Sequence, residues 1–286
     1  MKPTCPICTS PSTPAFAAGE HRMYRCDGCQ TAFVFPFPSS AEISRFYDRF
    51  HLSSEAGGFY DEIEDRMQAD FPAKIARIIG LSGGNPGRLL DVGCGKGFFV
   101  KACIDRGIHA EGIDLSVSGV RHATEVLGVK AIAGDLASLK PQLGIFDTVT
   151  FWATIEHLAD PIGMLRHVRD VLKPGGRIFL STGVGADWLD RLLPGVTQWY
   201  DPPQHLFVFS LDGLQRSLSA AGFQIEDTDA CFERTRLRKL IRIVRGAFLA
   251  ASLRACAEVG RLRRGEFPMT RFPLGNHMSI VARRSD

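Results

Sequence analysis

The chain has 286 residues, 45% hydrophobic and 23% charged, enough to bury one full α/β core and carry a small appendage. Its formal net charge of +3 is too small to indicate a partner. Residues 1–10 are polar and hold two cysteines where a signal peptide would need an apolar core, and no window approaches the ~18 consecutive apolar residues of a spanning helix. The expected compartment is therefore the cytoplasm.

In chain order, the first motif is a pair of knuckles, Cys5-Pro-Ile-Cys8 and Cys26-Asp-Gly-Cys29, with 17 residues between them. That spacing lets Cys5, Cys8, Cys26 and Cys29 converge on one zinc ion; two disulfides are the alternative, which a reducing compartment disfavours. A four-thiolate site is closed, so its zinc would support folding and would not activate water. Cys94, Cys103, Cys231 and Cys256 have no such spacing and read as packing residues. Residues 30–50 read as a ribbon strand followed by a short amphipathic helix carrying Ile43, Phe46, Tyr47 and Phe50. These aromatics either line a pocket or pack the appendage onto its neighbour. The polar, glycine-containing stretch 51–58 reads as a linker, dividing residues 1–50 from a larger unit, 59–286.

A helix is expected from about Ile63 to Ile79, broken or kinked at Pro72. Leu89-Leu-Asp-Val-Gly-Cys-Gly-Lys-Gly97 then runs an apolar strand into a glycine-dense turn and a helix beginning at Phe98. Gly93, Gly95 and Gly97 permit positive φ and leave room for a ligand against the backbone. A carboxylate at the strand end, Asp91, would repel a pyrophosphate and attract an ammonium group, which argues against NAD and for S-adenosylmethionine. Asp114 follows the next apolar segment, 23 residues after Asp91, where a doubly wound fold places the acid that holds ribose hydroxyls. Further strands are expected at 129–133, 146–151, 177–181, 222–228 and 277–282. Asp147, at the start of its strand, points away from the ligand edge and reads as structural.

Beyond the glycine loop come Gly134-Asp135-Leu136, Ile155-Glu156-His157-Leu158 and Leu172-Lys173-Pro174-Gly175-Gly176. This ordered set resembles the class I S-adenosylmethionine-dependent methyltransferases over roughly residues 70–283. The resemblance implies a doubly wound, Rossmann-like α/β sheet of seven strands, the last antiparallel, here with a small N-terminal zinc ribbon. It implies that Asp91, Gly93, Gly95 and Gly97 hold the methionine end and ribose, Asp114 the ribose hydroxyls, Leu115 the adenine face, and Asp135 with the Leu136 backbone the adenine ring. Asp135 also reads as a plain turn residue beside Gly134.

Methyl transfer to a hydroxyl or acidic carbon needs alignment, exclusion of water and removal of a proton, and histidine suits the last near neutral pH. His205, in a loop stiffened by Pro202 and Pro203, is the preferred base. His157 is the second candidate, although Glu156-His157 could simply orient its loop. Ubiquinone-pathway O-methyltransferases carry a similar Glu-His pair with another glutamate three residues earlier, together binding a divalent metal. Ala153 stands at that position, which removes an oxygen ligand magnesium would want and argues against that metal and that substrate. Asp201-Pro202-Pro203 is misplaced for an amino-methyltransferase motif, which would follow the fourth strand.

Residues 233–264 hold ten Lys and Arg against two Glu and read as a basic amphipathic helix. It could lie on an anionic membrane surface or lipid-linked substrate, grip RNA phosphates, or pack as a lid. The favoured function is methylation, at oxygen or carbon, of a small-molecule, sugar- or lipid-linked acceptor. An RNA methyltransferase is the alternative, opposed by the few cations in residues 1–40, namely Lys2, Arg22 and Arg25. A non-catalytic cofactor-binding scaffold is a third reading, which the intact cofactor acids oppose.

Overall fold

The structure, a computed structural model, describes residues 2–18, 21–39, 42–43, 59–186, 199–200, 202–230 and 276–285. The linker 51–58, the aromatics Phe46, Tyr47 and Phe50, and the basic segment 233–264 lie outside the described residues.

The larger sheet has seven strands: β4 (Arg88–Val92), β5 (His109–Asp114), β6 (Ala131–Ala133), β7 (Phe146–Trp152), β8 (Leu172–Val184), β10 (Phe223–Ala230) and β11 (Asn276–Arg284). Their order is β10-β11-β8-β7-β4-β5-β6. β6, β5, β4, β7 and β8 pair in parallel, while β11 runs antiparallel to both β8 and β10. This is the expected doubly wound sheet with its last strand reversed. The order reverses beside β4, so the carboxyl ends of β4, β5 and β7 flank the crevice where such sheets bind ligands.

Alternation along each strand sends side chains to two cores. Leu90, Val149, Ile178, Leu180 and Ile280 face helices α4 (Leu136–Leu143), α5 (Pro161–Val171) and α6 (Leu211–Ala220). Leu89, Phe179 and Val281 face the other way, against Ile75 and Ile78 of α1 (Phe59–Leu81) and Phe99, Val100 and Cys103 of α2 (Phe98–Ile104). Each helix start has a local cause. Ser116 caps α3 (Val117–Arg121), and Asp135, Asp160 and Ser210 cap α4, α5 and α6, each side chain accepting from a backbone N–H three residues on.

Two expectations change. α1 is continuous through Pro72, with no break. Pro72 is exposed, and burial of Phe71, Ile75 and Ile78 on the same core holds both halves of the helix in place. The Leu172–Gly176 stretch does not merely precede a strand. Leu172 already pairs with Phe146, and an irregularity then shifts the register so that Arg177 pairs with Thr148.

The N-terminal sheet comprises β1 (Ser12–Ala18), β2 (His21–Cys26) and β3 (Ala32–Val34), extended by β9 (Phe207–Val208) from the far end of the chain. Ala32 pairs with Val208 and Phe33 with Phe207. Ser210 Oγ donates to the Cys29 carbonyl, and the Ser210 N–H donates to Thr31 Oγ1 at 3.2 Å. Phe33, Phe207 and Phe209 are buried and join Cys5, Cys26 and Cys29 to one face of the large sheet's core.

Candidate active site

The glycine loop shows why each glycine stands where it does. Gly93, Gly95 and Gly97 have φ of 79°, 52° and 83°. A Cβ on Gly93 would lie 2.5 Å from the Thr154 side chain, and one on Gly97 would lie 2.6 Å from Ala123 Cβ. At Gly95 nothing lies within 4 Å of the Cβ position, so this glycine faces open space that a ligand can fill. The loop is tied to β5 by Gly93 N–H to Ile113 O at 2.8 Å and by Gly95 N–H to Asp114 Oδ2 at 2.8 Å. Asp114 Oδ1 accepts from Ser116 N–H at 2.7 Å, so one carboxylate shapes both turns at the crevice.

Asp91, next to the last residue of β4, is 2% exposed and accepts from Thr150 Oγ1 at 2.6 Å. Burial pushes its carboxyl up to about 7; Asp114 adds to this, while Thr150 and Lys74 oppose it. Leu115 is 70% exposed beside the crevice. Asp135 caps α4, accepting from the Ser138 N–H at 3.0 Å and the Ser138 hydroxyl at 2.6 Å. These bonds with Ser138 hold its carboxyl below the usual range. Leu136 is buried as the first residue of that helix. Asp147 is far from this edge and accepts from the Arg88 N–H at 2.9 Å.

Lys74 escaped the sequence reading. Its ammonium lies 4.6 Å from the Trp152 ring centroid and 5.7 Å from that of Phe71. Burial lowers its pKa, opposed by Asp70 and Asp91. The signal was present: Phe71, Lys74, Ile75 and Ile78 form one helical stripe, and a lysine on an apolar stripe calls for a local anion.

At the end of β7, Ala153 adopts the left-handed region (φ 52°) and turns the chain into a short 3₁₀ turn, Ile155–His157. Glu156 is 2% exposed; Thr182 lies beside it, yet neither carboxyl oxygen has a hydrogen-bond partner of good geometry. Burial raises its pKa, and His157 opposes this. His157 Nδ1 lies 2.6 Å from the Gln204 carbonyl. The His205 ring lies 4.9 Å from that of His157, tilted by 34°, and burial followed by the neighbouring His157 pushes its pKa down to about 3. The structure thus gathers both expected histidines, with Glu156 added, at the crevice end of β7. Trp199 walls this group, lying 5.9 Å from His205 and 4.5 Å from His277.

The four knuckle cysteines also meet. Cys5 and Cys29 Sγ are 3.8 Å apart, and Cys8 and Cys26 Sγ are 3.3 Å apart. Tetrahedral zinc with bonds of about 2.3 Å spaces its sulfurs ~3.8 Å apart, so the donor set fits that ion. The N–H groups of Ile7 and Cys29 donate to Cys5 and Cys26 Sγ, the support a thiolate needs. Cys94 and Cys103 are buried in the core and take no part in this cluster.

A family model described as a methyltransferase domain matches residues 63–228, more than half of the chain. An enzyme of Xanthomonas euvesicatoria named ubiquinone biosynthesis O-methyltransferase is 36% identical over 163 residues, covering 49% of this chain and 64% of the relative. Its namesake in Aeromonas salmonicida is 30% identical over 176 residues, covering 54% and 71%. The chain therefore spans just under two thirds of the Xanthomonas relative's length. Among solved structures, the cyclase SpnF superposes with a TM-score of 0.56 at 23% identity, covering 87% of this chain and 98% of that one. The magnesium protoporphyrin IX methyltransferase of Synechocystis gives 0.53 at 19%, covering 85% and 95%. These two likenesses concern the fold, and a cyclase among them shows that the fold alone does not name the chemistry. With the glycine loop, its two acids, the seven-strand order and the domain match together, the chain belongs to the class I S-adenosylmethionine-dependent methyltransferases.

Proposed function

We propose that the protein methylates an oxygen of a small-molecule acceptor, using S-adenosylmethionine. The observation that carries this reading is the pairing, on one sheet edge, of an open glycine cradle with a buried polar cluster at the end of the adjacent strand. When bound, the cofactor supplies an electrophilic methyl group on a sulfonium. Its amino-acid end is a zwitterion, and the chain offers the complement: Asp91 for the ammonium and Lys74 for the carboxylate. The backbone at Gly95 leaves room for the ribose, whose hydroxyls meet Asp114, and Leu115 with the Asp135–Leu136 turn flanks the adenine. Asp135 contributes mainly by capping α4, because Ser138 engages both its oxygens.

Glu156, His157 and His205 surround the acceptor hydroxyl; His157, whose Nδ1 donates to the Gln204 carbonyl, takes its proton at Nε2, whereas burial leaves His205, the base preferred from sequence, too weakly basic for that step. Trp152 and Trp199 exclude water from the transfer. The relatives named O-methyltransferases favour oxygen over carbon as the methylated atom. A sugar- or lipid-linked hydroxyl compound is the narrower acceptor class, with residues 233–264 holding its phosphate. Zinc on Cys5, Cys8, Cys26 and Cys29 has a structural role, bracing the ribbon.

The test is transfer of radiolabelled methyl from S-adenosylmethionine into an extract of cells lacking the gene, partitioned into small-molecule, lipid-glycan and RNA fractions. Label in an alkali-stable methyl ether of the first two fractions, absent with Asp91→Ala, is the expected result. Label confined to RNA would refute the acceptor assignment.

A further inference from the structure

The magnesium triad of the ubiquinone-pathway enzymes does not fit this chain, because Ala153 offers no ligand and turns the backbone in the left-handed region. A third candidate ligand comes from elsewhere in the chain. His205, preceding β9, reaches the Glu156-His157 pair, and one ligand atom from each of the three residues lies within 4.8 Å of the others. We infer that Glu156, His157 and His205 form a second metal site, distinct from the ribbon's, that takes one divalent transition ion and presents it to an oxygen of the acceptor.

Three observations carry the inference. Burying a carboxyl with both oxygens unsatisfied is costly, and Glu156 is 2% exposed with neither oxygen well bonded. His205 is 9% exposed, and its Nδ1 also lacks a partner. A carbonyl can only accept, so the Gln204 oxygen at 2.6 Å assigns the proton of His157 to Nδ1 and the lone pair to Nε2. A backbone carbonyl on the far nitrogen is the usual support of a metal-ligating imidazole. Replacing a carboxylate by an imidazole shifts the preference from magnesium, which wants oxygen, towards ions such as zinc, iron or cobalt. Two imidazoles and one carboxylate on one side leave open positions, where a hydroxyl oxygen of the acceptor would bind and become more acidic. That last use rests on the methyl-transfer reading; the metal site itself does not.

The experiment uses the full chain stripped with a chelator and reloaded with Co²⁺, with the metal per chain measured by mass spectrometry and the absorption spectrum recorded. Cobalt on the ribbon thiolates gives sulfur-to-metal charge-transfer absorption; cobalt on Glu156, His157 and His205 does not. The expected result is two equivalents in the wild type, falling to one in His205→Ala and in the isosteric Glu156→Gln, with the charge-transfer band unchanged. A wild type holding only the thiolate-bound equivalent would overturn the site, as would retention of the second ion by both variants. Cofactor affinity measured on the same samples reports whether the variants are folded and tests the methyl-transfer reading separately: two ions bound without any cofactor affinity would defeat that reading and leave the metal site standing.

Discussion

Asp91 is a buried carboxyl whose protonation should control cofactor binding. Its pKa, raised by burial to about 7, exceeds the unfolded value, so the stability it contributes to the ligand-free chain is present at low pH and is lost as pH rises through about 7. A bound ammonium favours the ionised form and acts in the opposite sense. Lys74 on α1, Asp114 at the end of β5, and the Cys94 and Cys103 thiols are the ionisable groups facing it. Affinity for S-adenosylmethionine is therefore expected to fall about tenfold per pH unit below 7 and to level off above it, read by calorimetry across a pH series. Asp91→Asn should flatten that profile and cost about 2 kcal/mol, roughly thirtyfold in Kd. Lys74→Met should weaken binding by about tenfold through loss of a charge-assisted contact, while shifting the Asp91 profile to higher pH. An unshifted profile in Lys74→Met would separate the lysine from the Asp91 site. Asp91 was legible in sequence because strand ends and glycine turns are local. Lys74 stood out only as a lysine on an apolar helical stripe; that it faces Asp91 as well as its helix neighbour Asp70 depends on how the helix packs on the sheet.

At the scale of elements, two glycines two positions apart, Gly95 and Gly97, are expected to fail differently. Gly97→Ala drives a methyl into Ala123 at the packing of α2 against the neighbouring helix and should cost about 1–3 kcal/mol, lowering the denaturant midpoint without changing its slope. Gly95→Ala meets no atom, so only about 1 kcal/mol of backbone strain is expected, with cofactor binding lost because the methyl enters the ligand's space. Equal destabilisation by both would contradict the cradle assigned to Gly95. The ribbon gives a second contrast. Val34 N–H donates to Leu206 O at 3.0 Å, and Leu206 N–H donates to Glu156 O at 2.9 Å, so one strand of the ribbon reaches the active-site turn through two hydrogen bonds. Chelation of the zinc proposed for the four cysteines should speed amide hydrogen exchange at Val34 and Leu206 and leave Leu90 in β4 protected. Unchanged exchange at Leu206 would show that β9 holds without the ribbon.

For the whole molecule, the strands were legible as apolar runs, and the seven-stranded doubly wound sheet with a reversed last strand was legible through the resemblance that the ordered motifs carry; the strand order itself came from the structure. Among the described residues, no helix is long and apolar enough to cross a membrane. What the sequence by itself determined is local: the glycine cradle, Asp91 and Asp114 near strand ends, and two cysteine knuckles whose side chains need only a short chain reversal to meet. Only the tertiary structure decided that β9 completes the ribbon sheet, that Lys74 lies over Trp152, and that His205 closes on Glu156 and His157. These pairings join positions 48 to 176 residues apart, His157–His205 and Ala32–Val208 among them. No periodicity within either segment encodes such a pairing; it arises because the carboxyl edge of the sheet gathers loops from every strand into one place.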